Sequence, residues 1–495
     1  MKRFFEKYPV KTQRILEIIP GLLSWILITL PVWLSFFHPA LVSYFVIFFV
    51  VYFFYKSAMM GILSPPSYLR IKAHEQVDWL KKCSDLKDSK TIRHVFVIVN
   101  YKENTEKIRR TLTYISKQDF PLKQVVIVLA LEGREGEVAT QRAKILKKEF
   151  EHIFGDFYYT VHPLTIGEVG GKSSNENYAV RFLKKKYVDE RGFDINSILI
   201  TIADADAVFH PKYLSYLTYS FLSDPKRYHH VYQTALLYYN NIWDVPLMVR
   251  VANTLWSISN LLPLMQTDRL INTATYAVSL KMADEVDYWD PTVISEDWHF
   301  FFRAFFRLKG DVSGVPIFLP TYLDACQSLT WWGTMVSQYN QNKRWAYGVT
   351  DIPYVVRQAF LHTEIPFSKK ILRIVRLYEQ HQVWPVNFFI LTFGATIPAL
   401  INPVFGRTVM GQSLPKITGL ILSVSTVFLI VLIILDIQLK PKRPPTFKPW
   451  KFPTLLLQWL TMPIVSFFFN SLPGLDAHTR IMLGKKLEYK VTEKV

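Results

Sequence analysis

Apolar positions along this chain follow two patterns. Near both ends they form long unbroken runs. In the middle they come as short clusters separated by polar stretches of helical period. Residues 15–36 (ILEIIPGLLSWILITLPVWLSF) hold one charge, Glu17, near their edge, and residues 39–55 hold none. About 20 apolar residues cover a bilayer as a helix, so the pair predicts a transmembrane hairpin broken at His38-Pro39. A removable leader is not expected, because no small-residue cleavage site follows the first run and a second run comes at once. Three further apolar runs, 382–402, 417–436 and 453–472, predict more membrane helices toward the other end.

The middle region reads differently. HVFVIVNY (94–101), QVVIVLAL (124–131), FYYTVHPL (157–164) and SILITIADAD (197–206) are short apolar runs rich in β-branched residues. Between them lie helix-like stretches, one with Ile108, Leu112 and Ile115 on one face behind an Asn104 or Thr105 cap. Strands alternating with helices predict an α/β domain with a mostly parallel sheet and helices on both faces. Ligands bind such sheets beyond the carboxyl ends of the strands. The organisation expected is a membrane hairpin at 1–62, a linker at 63–90, an α/β domain at 91–310, interfacial helices at 311–381, membrane or re-entrant helices at 382–473 and a tail at 474–495.

Composition narrows the class. Half of the residues are hydrophobic and only 20% are charged, which excludes a disordered chain. Two cysteines in 495 residues exclude a disulfide scaffold. The net charge is +18. Lys2, Arg3, Lys7, Lys11 and Arg14 precede the first apolar run, and Lys440, Lys442, Arg443, Lys448 and Lys451 sit in 437–452, whereas 403–415 holds only Arg407. Positive loops stay on the cytoplasmic side, so the beginning of the chain, the α/β domain and 437–452 are all expected there, with the protein integral to a plasma or inner membrane. The surplus charge suits anionic lipid headgroups and an anionic substrate. No nucleic-acid partner is expected, since the basic residues form no binding motif of that kind.

Four patterns carry chemistry. Asp204-Ala205-Asp206 ends an apolar strand, where two carboxylates can share Mg2+ or Mn2+ on a diphosphate; the same triplet also makes an ordinary surface turn. Ser295-Glu296-Asp297 precedes an aromatic helix, which suits a general base and equally suits a helix cap with acids in its first turn. Gln341-Asn342-Lys343-Arg344-Trp345 offers a phosphate clamp and a stacking ring, or an interfacial helix rich in such residues. Gly170-Gly171-Lys172, with Asn177 five residues on from the lysine, can cradle a phosphate or simply start a helix. Rings in 235–266 and 328–361, from Tyr238 to Trp345, suit the membrane interface or an acceptor channel, with Trp345 the one expected to touch the acceptor.

In this order the four patterns resemble the family 2 inverting glycosyltransferases of GT-A fold, in particular the membrane-integrated branch of cellulose, hyaluronan and mannan synthases. The resemblance covers about 91–350 plus the tail. It places Tyr101 and Glu103 on the nucleotide, and Glu132 where the family has the second acid of Asp-Asp-Gly, with Leu131 replacing the first. It assigns Lys172 and Asn177 to a Lys-x-x-x-x-Asn donor motif, Asp204 and Asp206 to the metal and diphosphate, and Glu296 and Asp297 to Thr-Glu-Asp, with Asp297 the base. Gln341, Arg344 and Trp345 match QxxRW in full, the first two toward the donor. Tyr489, Val491, Thr492 and Lys494 are similar to the FxVTxK gating segment. The implied activity is transfer of a sugar from a nucleotide-diphosphate sugar to a polysaccharide or glycan acceptor, with processive synthesis one form of it. A gating tail must reach the cytoplasmic site, so the crossings should be even in number and 453–472 re-entrant or interfacial. Transfer to a polyprenyl phosphate or other lipid stands as the alternative. A transporter or a non-catalytic scaffold stands further off, because the apolar runs hold almost no ionisable residues.

Overall fold

A computed structural model describes residues 2–445 and 452–487. The chain divides into two compact units. One holds residues 67–244 and 263–329; the other holds residues up to 66, 245–262 and the described part of the chain from 330 onward.

The first unit is the α/β domain. Its eight strands are β1 (Arg93–Asn100), β2 (Val125–Glu132), β3 (Asp156–His162), β4 (Ile198–Asp204), β5 (Val208–Phe209), β6 (His230–Leu237), β7 (Tyr276–Ser279) and β8 (Ser313–Tyr322). They form one sheet in the order β3-β2-β1-β4-β7-β6-β8-β5. The four strands expected from the apolar runs form its parallel half. The rest is mixed: β7 lies antiparallel to β4 and β6, β6 runs parallel to β8, and β5 is antiparallel to β8.

Burial explains the parallel half. Every residue of β2 is buried, as continuous apolar strands of parallel sheets are. Each fully buried Val, Ile or Leu contributes about 1.5–3 kcal/mol. Register then aligns the strand ends. Asn100 pairs with Leu131, and Val99 with Asp204. Tyr101, Glu132 and Asp204 therefore leave the sheet side by side. Because Ile202 pairs with Tyr276 in the antiparallel sense, residues 272–275 arrive at the same edge from the opposite direction.

The second unit is helical. Four stretches are long and apolar enough to cross a membrane: Pro9–Phe36, Pro39–Gln76, Val409–Leu439 and Pro453–Met482. The second of these runs ten residues past Pro66, where the unit ends. The apolar run 382–402 does not form one unbroken helix. It is split between the end of a helix Phe367–Phe393 and a short helix Ile397–Ile401. The first of these begins with the charged residues Lys369, Lys370, Arg373, Arg376 and Glu379, and the break falls between Gly394 and Pro398. The run 453–472 belongs to a stretch of full crossing length rather than to a short re-entrant piece, although Pro463 and Pro473 each start a new helical segment within it.

Candidate active site

The centre of the α/β unit's edge is Lys172, the first residue of a helix Lys172–Lys184. Its ammonium lies 3.0 Å from Asp204 Oδ1, 3.0 Å from Glu296 Oε1 and 3.8 Å from Glu176 Oε1, and donates to the carbonyl of Ala274. Glu176 is wholly buried, and neither of its carboxyl oxygens meets a hydrogen-bond donor among the described residues. Burial works against the charge on Lys172, but the three neighbouring carboxylates outweigh it and hold its pKa well above the ordinary lysine range. Burial pushes the Glu176 carboxyl well up, against the pull of Lys172. Glu296 is also raised by burial, less strongly because Lys172 opposes it.

Asp297 stands one peptide away. Ala274 N–H donates to its Oδ2 at 3.0 Å, while Ala274 C=O accepts from Lys172. Asn272 donates to the Asp297 carbonyl at 2.7 Å, and Trp298 N–H to Asp297 Oδ1 at 2.8 Å. Ala274 serves both partners only by taking a left-handed backbone, φ 46°, a conformation costly for a residue with a Cβ. Neighbouring residues hold it there: Thr273 N–H donates to Gln233, and Thr275 Oγ accepts from Asp204 N–H. Ser295 takes the N-cap position of the helix Glu296–Arg307 without a side-chain cap bond, and Glu296 and Asp297 lie in its first turn.

Asp206 is held differently. Its Oδ2 accepts from Asp324 N–H at 2.9 Å, and its carbonyl accepts from Asn240 at 3.0 Å. Arg110 and Asn240 both donate to the Asp324 carboxylate. No group of three His, Cys, Asp or Glu side chains among the described residues is arranged to hold a metal. The donor set still suits a hard divalent ion, which is commonly held by one or two carboxylates together with substrate phosphates. Asp204, whose side chain is 27% exposed, is the open member of the pair.

Tyr101, Glu103 and Glu132 occupy the ends of β1 and β2. The Arg134 guanidinium lies 4.4 Å from the Tyr101 ring centroid and pairs with Glu132, which is buried. Glu103 pairs with Lys107 at 3.2 Å. Asn177 donates to the carbonyl of Trp289 and accepts from Arg181, fastening the Lys172 helix to the loop before residue 290. Gln341, Arg344 and Trp345 lie on a helix Trp331–Ala346 of the other unit. There Gln341 is buried, and the Trp345 ring packs edge-to-face on Trp256 at 5.2 Å. Tyr489, Val491, Thr492 and Lys494 lie outside the described residues.

Glu176, Ala274, Asp324 and Arg134 are not among the sequence candidates. Glu176 had a readable signal, since it stands four residues after Lys172 and so shares its helix face. Ala274 had none: a backbone amide serves there and any residue type could supply it.

Comparisons with known proteins follow from this geometry. Residues 199–440, just under half of the chain, match the family model described as Glycosyl transferase family group 2. The matched stretch contains Asp204, Asp206, Glu296, Asp297, Gln341, Arg344 and Trp345, and starts after Tyr101, Glu132, Lys172 and Asn177. No curated protein matches the chain in sequence. Among solved structures, the chain is similar to the mannosyltransferase PcManGT from Pyrobaculum calidifontis, in complex with GDP-Man and Mn2+, at 12% identity over 87% of this chain and 99% of that one, with a TM-score of 0.43. It is also similar to S. aureus TarS 1–349 in complex with UDP-GlcNAc, at 12% identity over 80% of this chain and 93% of that one, with a TM-score of 0.34.

Proposed function

We propose that the chain is a glycosyltransferase of the family 2 type, whose family model matches residues 199–440, and that it moves a sugar, with inversion, from a nucleotide-diphosphate donor to a polysaccharide or glycan acceptor at the cytoplasmic face of a membrane. One observation carries the reading. Lys172 binds Asp204 of the DxD motif and Glu296 of the Ser-Glu-Asp motif together, and Ala274, whose carbonyl it bonds, donates its N–H to the Asp297 carboxylate.

In this reading the donor lies over the carboxyl ends of β1, β2 and β4, with its base near Tyr101 and Glu132 and its diphosphate toward Asp204. A divalent ion on Asp204 and Asp206 would offset diphosphate charge. Lys172 adds a fixed positive charge that needs no reorganisation as the leaving group gains charge. Asp297 takes the proton of the acceptor hydroxyl. Its Oδ2 bond from Ala274 N–H fixes the carboxylate in place. The hydroxyl oxygen attacks the anomeric carbon opposite the departing diphosphate, so one displacement inverts that carbon.

The test is a panel of nucleotide sugars, each with Mg2+ or Mn2+, scored for released nucleoside diphosphate in membranes carrying the protein. One donor class should turn over. Asp297→Asn should bind that donor and lose about 10²–10⁴ in rate. Near-normal turnover in the variant would remove Asp297 from its role. Product sizing separates a polymer from a single sugar on an extractable lipid.

A further inference from the structure

The helical unit contains a cavity of about 310 Å³ at the start of its first apolar stretch, lined by Pro9, Val10, Gln13, Arg14, Glu17 and Arg357. Val10, Gln13, Arg14 and Glu17 lie at helical spacing and share one face of the helix Pro9–Trp33, while Arg357 comes from a separate helix, Asp351–Leu361. The charges inside are unequal in their satisfaction. Glu17 is held by Arg14 at 3.1 Å and by Gln13 at 3.1 Å. Arg14 also caps the end of the last apolar stretch by donating to the carbonyls of Ile481 and Met482. Arg357 has no such partner. Its Nε is shielded from solvent and meets no acceptor among the described residues, and it forms no ion pair with them. Arg357 is only half-buried, so its remaining N–H donors can reach an anion that enters the cavity.

Its setting indicates which anion. It lies where a helix of crossing length begins. Val10 and Ile15 beside it are 80% and 54% exposed, and Lys7 and Lys11 are exposed on the same turns. Apolar surface toward the bilayer, cations at its border and an unpaired fork-shaped donor in a small cavity match one chemistry, that of a lipid phosphate whose acyl chains run along the helix. We propose that this cavity is a binding site for the phosphate headgroup of an anionic lipid, with Arg357 its anchor.

The full chain is purified in mild detergent, exchanged into nanodiscs of phosphatidylglycerol or phosphatidylcholine, and examined by native mass spectrometry and thermal melting. The wild type should retain one phosphatidylglycerol per chain and melt higher in that lipid. Arg357→Gln should lose both effects while melting like the wild type in phosphatidylcholine, and Lys11→Gln should keep both. Equal losses from Lys11→Gln and Arg357→Gln would show diffuse surface attraction and overturn the site. So would inorganic phosphate matching the melting shift, or Arg357→Gln lowering the melt in phosphatidylcholine as well. A chain ended at Leu487 that retains more lipid than the full chain would make residues 488–495 the native occupant and overturn it equally. None of these readings depends on sugar transfer.

Discussion

Lys172 is the residue on which the site's charge balance turns. It faces Asp204, Glu296 and Glu176 at 3.0, 3.0 and 3.8 Å. Removing one partner of a buried charge group costs about 3–5 kcal/mol, mainly because the other charges are left uncompensated. Lys172→Met should therefore lower the melting temperature of the purified chain as well as abolish transfer, and adding Glu296→Gln should recover part of the stability and none of the activity. A stable Lys172→Met would show that the acids find other compensation. Glu176 gives a pH signature. Its folded pKa lies well above the unbound value of 4.5. Stability from such a group is fully present below 4.5 and is lost as pH rises from there toward the folded value. Glu176→Gln stays neutral throughout, so its stability should fall less steeply than that of the wild type between pH 4.5 and 8. Parallel melting curves would mean that Glu176 is ionised in the folded chain.

Among the elements, the short segment 272–275 decides whether the acids become a catalytic constellation. It bonds to Asp297 through Asn272 and Ala274, to Lys172 through the Ala274 carbonyl, and to Asp204 through Thr275. Ala274→Gly removes the left-handed strain of φ 46° but adds chain entropy to the unfolded state. Stability should change by less than about 1 kcal/mol, and activity should persist. Ala274→Pro cannot take that φ and lacks the N–H, so it should lose most of kcat even where donor binding survives. Equal activity in both variants would show that Asp297 needs no bond from residue 274. This segment also marks how far the sequence could be read. The parallel half of the sheet was legible because buried parallel strands are continuous apolar runs, and the cluster of Lys172, Asp204, Glu296 and Asp297 was legible because charged side chains show in the sequence. β6, β7 and the loop before β7 were not, because 235–266 is so rich in aromatic residues that it reads as interfacial, and because backbone amides leave no trace in residue identity. The Arg110–Asp324–Asn240 bracket around Asp206 joins residues 84 to 214 positions apart, which no local spacing reveals.

For the whole molecule, length and charge give opposing accounts of how the chain meets the bilayer. Four stretches meet the length and composition of a crossing helix. If only these cross and the α/β unit is cytoplasmic, Val409–Leu439 carries the chain outward and leaves Lys440, Lys442, Arg443, Lys448 and Lys451 outside, against the charge rule. The charge rule is satisfied if 382–401 also crosses, as a broken helix. Twenty residues suffice in length, and the break is affordable only where backbone polar groups are bonded and covered by protein. Both conditions are met at Gly394, which is buried. Gly394 N–H donates to Ile390 C=O at 3.0 Å, and Thr396 N–H to Phe393 C=O at 3.1 Å. The break packs on the helix Pro39–Gln76, with Leu391 and Ala395 against the cluster of Val42, Val46, Val50 and Leu414. Five cations in one short loop outweigh the kink, so residues 403–408 should face outward and 440–445 inward, with Pro453–Met482 returning to the inner face, where Arg14 holds its end. Both native cysteines are buried, which permits a direct measurement with single added cysteines. Val404, 79% exposed, changed to Cys should react with a membrane-impermeant maleimide on intact cells, and Lys442→Cys should react only after permeabilisation. With the opposite labelling, 382–401 would not cross, and the basic loop would lie outside despite its charge.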